Sequence, residues 1–131
     1  MGDVDCQNAR HAVSLVAPAD RGLPHNLAAM FVTPRYGTGA LADLVPSVLG
    51  VLGVAGESDR IGLGLDGVRR VAILLVDGMG AELVAARPEA APFLADLPAR
   101  SLTAGFPSTT VASLASLGTG LPGGEHGLVG Y

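Results

Sequence analysis

The chain has no tryptophan, no lysine and a single cysteine, and aromatic residues make up only 4% of its 131 positions. Each shortage removes a class of function. Cys6 by itself makes neither an internal disulfide nor a thiolate zinc site, and it reads as an incidental thiol. All eight basic residues are arginines, scattered except for Arg69-Arg70, and the formal net charge is -4. With no basic stripe and almost no aromatic platform, binding to a nucleic-acid scaffold is excluded, while a nucleotide as a small substrate stays open. Long apolar runs are missing as well. The stretch from Ala12 to Ala17 is too short, and its flank too acidic, for a secretory signal. Ser101 to Gly124 carries no charge but is rich in Ser, Thr, Gly and Pro, too polar to cross a bilayer. Met1-Gly2 is followed by Cys6 where a myristoylation signal needs Ser or Thr. These absences predict a soluble cytoplasmic protein with no membrane partner.

What is present is aliphatic. Hydrophobic residues reach 49%, so a core must be built from Leu, Val and Ala within one modest domain. Richness in Ala, Gly and Val, with Arg in place of Lys, suggests GC-rich bacterial codon usage. Residues 1–37 are punctuated by Pro18, Gly22, Pro24, Pro34 and Gly37 and read as an irregular leader. From Thr38 to Val54, Leu41, Leu44, Val45, Val48, Leu49 and Leu52 recur at helical spacing, with Pro46 expected to divide or kink the segment. Gly56 to Asp66 is turn-rich.

Val71 to Val76 reads as the best strand, apolar at every position and therefore expected to lie between neighbours in a parallel sheet covered on both faces. Short helices are predicted near 81–86 and 92–97, a second strand near 100–104, and a helix of small residues over 110–117. The spacing gives an α/β fold with too few strands for a complete sheet.

Asp77 follows the apolar run, with Gly78 and Gly80 behind it. An acid at a strand end either binds a metal or caps the next helix. Phe106-Pro107-Ser108-Thr109-Thr110 opens the small-residue helix. Hydroxyls at a helix start are caps, or nucleophiles when a cation stabilises the alkoxide; two in succession fit one of each. His126 sits in a glycine-rich loop and reads as a hydrogen-bonded structural residue. The Gly118 to Gly124 segment lacks the Gly-Lys-Ser/Thr of a phosphate-binding loop.

Taken together, Leu74-Leu75-Val76-Asp77-Gly78-Met79-Gly80, Phe106-Pro107-Ser108-Thr109-Thr110, Gly118-Thr119-Gly120-Leu121-Pro122 and Glu125-His126-Gly127 resemble the alkaline phosphatase superfamily. Within it they are most similar to the type I phosphodiesterase/nucleotide pyrophosphatase group, over about residues 36–131. The resemblance implies an α/β fold, the N-terminal part of an alkaline-phosphatase-like parallel sheet flanked by helices and incomplete here. Residues 38–131 would then be the N-terminal portion of a truncated catalytic domain. It implies a metal-dependent phosphoric-ester hydrolase acting on a small phosphoester or nucleotide. Thr110 would be the nucleophile at the fourth position of Pro-Ser-x-Thr, and Asp77 and Thr110 would be ligands to two divalent metal ions, usually zinc.

Two positions depart from the group. Thr110-Val111-Ala112-Ser113-Leu114 stands where nucleotide-processing members continue Thr-x-Pro-Asn-His. Tyr131 stands where they carry a phosphate-binding asparagine, and is the candidate substrate-binding residue. The remaining metal ligands would come from a C-terminal portion needed to complete the site. The alternative is a catalytically inactive truncated member of the same family.

Overall fold

The computed structural model describes residues 12–16, 32–97 and 99–130. Two five-residue strands, β1 (Ala12–Val16) and β2 (Ala99–Thr103), pair in parallel with Ala12 opposite Ala99 and Val16 opposite Thr103. Between them come helices α1 (Leu44–Val51), α2 (Ala81–Ala86) and α3 (Pro92–Ala95), and after them α4 (Thr110–Thr119) and α5 (Gly123–His126). The mixed α/β character is as expected. The larger alkaline-phosphatase-like sheet is not present among the described residues.

Three expectations need correction. Val71 to Val76 is not a strand. A strand exists through its hydrogen-bond ladder, and among the described residues no strand is paired with this run. Val71 packs on the core, but the following residues leave it, and Leu74 is 85% exposed. The run lines an apolar cavity of about 670 Å³ together with Leu41, Leu44, Val48, Val84 and Leu94. Secondly, the leader contributes β1, whose partner lies far along the chain and is invisible to local pattern. Thirdly, Pro46 does not divide the first helical segment. The break falls between a 3-10 turn, Leu41–Asp43, and α1, so Pro46 sits in the first turn of α1 where its missing N–H costs nothing.

The core is small and aliphatic, built on Val48, Ile61, Leu63 and Leu102, with Leu44, Val51, Leu65 and Val71 packed against it. A buried polar network borders it. Asp43, only 2% exposed, accepts hydrogen bonds from three backbone amides: Gly37 (2.9 Å), Gly39 (3.1 Å) and Ala40 (2.9 Å). Arg60 stands 3.9 Å from its Oδ1. Burying a carboxylate is tolerated when each oxygen is so satisfied. Ser47, fully buried, donates to the Asp43 carbonyl at 2.7 Å and accepts from the Arg60 and Ile61 amides. It thereby ties the returning 57–61 segment to α1.

The turn held by Asp43 is what meets β2. The Thr103 amide donates to the Gly39 carbonyl at 2.9 Å, and Thr103 Oγ1 accepts from the Arg35 amide at 2.8 Å. Ala40 forms a parallel bridge with Thr103, so Thr103 has a backbone neighbour on each side. Further along, the end of α4 closes on α1. Gly120 adopts φ +71°, and a Cβ there would lie 2.7 Å from Pro46 Cγ, so only glycine allows this approach.

Asp43→Ala strips three amides of their acceptor and is expected to destabilise the fold by about 3 kcal/mol, taking roughly 1 kcal/mol per lost bond. Asp43→Asn keeps one acceptor oxygen and should lose about half as much. Urea midpoints of the three proteins measure both, and equal midpoints would contradict the assigned role of this carboxylate.

Candidate active site

Asp77 and Thr110 are brought together. Thr110 Oγ1 donates to Asp77 Oδ2 at 3.4 Å, across 33 residues of sequence, and both residues are exposed. The distance is long for an O–H···O bond, which ordinarily falls below about 3.0 Å, so the two groups are adjacent without being tightly locked. Each arrives by a local device. Asp77 and Gly78 form a turn at the end of the apolar run, and Gly78 takes φ +72°, a conformation that side chains disfavour. Helix α2 then starts at Ala81 with Gly80 as its cap and no side-chain cap bond. Asp77 is therefore not the cap of that helix, and its carboxylate is directed to Thr110.

Thr109 and Thr110 divide the start of α4. Thr109 is the N-cap: its backbone is extended, and its Oγ1 accepts from the Ala112 amide at 3.3 Å. Thr110 is the first helical residue, and its hydroxyl is left to face Asp77. The chain reaches this helix from β2 through Ala104 to Ser108, with a cis Phe106–Pro107 peptide and an exposed Phe106.

Other polar groups collect at the far side of α4. Ala112 and Ser116, one turn apart, are its buried residues. Ser116 Oγ lies 3.0 Å from His126 Nε2, and His126 Nδ1 accepts from the Leu128 amide at 3.0 Å. Thr109 Oγ1 donates to the Val129 carbonyl at 3.3 Å, which draws the 127–130 segment back over the helix start. The sequence identified His126 as a bonded structural residue, but its partner Ser116 was hidden among look-alike small residues of α4.

Tyr131, the candidate substrate-binding residue, lies outside the described residues. The metal centre is the larger gap. A tetrahedral zinc site needs four donors, at least three of them from protein in catalytic sites. Asp77 and Thr110 offer a carboxylate and a hydroxyl, both hard oxygen donors suited to a divalent cation. Among the described residues no group of three or more His, Cys, Asp or Glu side chains could hold a metal ion. The pair fits part of a cation site and does not make one alone.

Among the described residues no helix is long and apolar enough to cross a membrane. No curated protein and no solved structure matches the chain. Residues 71–131 match the family model for type I phosphodiesterase / nucleotide pyrophosphatase, a span that begins with the apolar run before Asp77 and includes Thr110 and His126. The likeness read over 36–70 lies outside the matched span. A carboxylate and a helix-start threonine thus meet inside the segment, Val71 to Tyr131, that is similar to the type I phosphodiesterase/nucleotide pyrophosphatase family.

Proposed function

We propose that this chain carries the nucleophile-bearing portion of a metal-dependent phosphoric-ester hydrolase of phosphodiesterase or nucleotide pyrophosphatase type. The observation behind it is the Thr110–Asp77 contact within the matched segment. Residues 38–131 would form one portion of the catalytic domain. Support for including the part before the match comes from packing: Gly39 and Ala40 are bonded to Thr103, and Pro46 seats Gly120.

In this reading the Thr110 oxygen attacks phosphorus in line with the leaving alkoxide. A P–O bond to Thr110 forms, the P–O bond to the leaving group breaks, and the leaving oxygen takes a proton from solvent. The hydroxyl proton of Thr110 departs along its bond to Asp77 and on to water, since both groups face solvent. Water then hydrolyses the threonine phosphoester and regenerates the hydroxyl. Alkoxide formation is the difficult step, and the start of α4 assists it only weakly, because helix-end charge is partial. Asp77 and Thr110 would hold divalent cations, zinc in the family pattern, which when bound supply the positive charge that favours the alkoxide. The remaining donors would come from polypeptide beyond Tyr131.

A second reading is a family member without turnover. Its support is the donor count, because two donor side chains among the described residues fall short of a cation site. Metal content and hydrolysis of an aryl phosphodiester separate the two. Stoichiometric divalent metal with turnover supports the hydrolase, and neither in a chain extended beyond Tyr131 leaves the inactive reading.

In an active chain, Thr110→Ala is expected to abolish turnover and the trapped phosphothreonine seen by mass spectrometry. Thr109→Ala should retain the phosphothreonine at Thr110 but lower stability by about 1 kcal/mol through loss of the cap, with Thr109→Ser close to wild type. Phosphate trapped on Thr109 would reverse the assignment.

A further inference from the structure

We infer that His126 is a positioning residue: held as its Nε2–H tautomer between Ser116 and Leu128, it fastens the 127–130 segment over the start of α4, where Thr110 sits. The relevance to Thr110 rests on the hydrolase reading; the geometry stands apart from it.

The tautomer follows from the bonds. The Leu128 N–H is a donor and reaches His126 Nδ1 at 3.0 Å, so Nδ1 must present its lone pair. A neutral imidazole then carries its proton on Nε2, and that nitrogen donates to Ser116 Oγ at 3.0 Å. The ring is thus ruled out as a base toward Ser116, because the nitrogen facing the hydroxyl has no lone pair to offer. A serine–histidine nucleophilic pair needs the opposite arrangement. What remains is a mechanical link, with one ring nitrogen on α4 and the other on the loop after α5.

The link has a destination. One residue past Leu128, the Val129 carbonyl accepts from Thr109 Oγ1, the same oxygen that caps α4 through the Ala112 amide. Gly130 follows with φ +68°, and a Cβ there would collide with Thr109 Oγ1. The segment is therefore laid directly on the cap residue. Ser116 is 3% exposed, which gives the anchor a fixed position on the buried face of α4. A path of named bonds runs from the middle of α4 through His126 and the 127–130 backbone to Thr109, beside Thr110.

The test uses the protein with ¹⁵N-labelled histidine at neutral pH. Long-range proton–nitrogen correlations are expected to show His126 protonated at Nε2 and bare at Nδ1. His126→Ala and Ser116→Ala should each speed exchange of the Leu128 amide about tenfold, the effect of losing one hydrogen bond from a locally opening segment. Both should also move the Thr109 methyl resonance. Ser116 lies on a different element from Leu128, so a turn stabilised only by its own residues would not respond to it. An Nδ1–H tautomer would overturn the inference, as would Ser116→Ala leaving Leu128 and Thr109 at their wild-type behaviour. Should His126→Ala fail to fold, the wild-type tautomer and Ser116→Ala decide. None of these signals depends on metal or turnover, so failure of the hydrolase reading would show separately.

Discussion

The buried carboxylate of Asp43 is the constraint on which the rest of the described structure depends. A charge in that position is tolerable only because three backbone amides converge on it, and their convergence fixes the turn from Gly37 to Ala40. That turn supplies the carbonyl of Gly39 and the bridge of Ala40 to Thr103, at the end of β2. The small aliphatic core could not specify this alone. Val48, Ile61, Leu63 and Leu102 exclude water, but such packing is non-directional, whereas the Asp43 and Ser47 bonds determine which backbone meets which.

From β2 the constraint passes to the site. With Thr103 held on both sides, the chain leaves toward Thr109 from a fixed point, and α4 is fixed again at its far end where Gly120 meets Pro46. A helix held at both ends presents its first residue reproducibly, and that residue is Thr110. Asp77 approaches differently, from the exposed apolar run, with a glycine turn behind it. One partner of the pair thus heads a helix tied down at both ends and the other arrives on a glycine turn, and the two meet at 3.4 Å instead of in a tight bond.

The helices α2 and α4 were legible because their signals are local: small and apolar residues at helical spacing, and a threonine at the cap. The meeting of Asp77 with Thr110 was anticipated from motif order, although no local rule dictates a contact across 33 residues. Val71 to Val76 misled because apolar pattern reports only a tendency to extend and be covered, while a strand requires a partner backbone. Strand β1 failed in the opposite sense, since its partner is distant and its five residues sit among prolines and glycines. Asp43 was passed over because one acid in a helical stretch usually faces water. The glycines at 37 and 39, just ahead of it, were the available hint that bare amides stood within its reach.

The Asp77 and Thr110 side chains meet at one place in this fold. Nuclear Overhauser contacts between the Thr110 side-chain protons and the Asp77 β-protons measure this directly, without substrate or metal. A cross-peak between them is expected, stronger than any from Thr109 to Asp77. Absence of that contact, with Thr110 instead in contact with residues remote from Asp77, would contradict it.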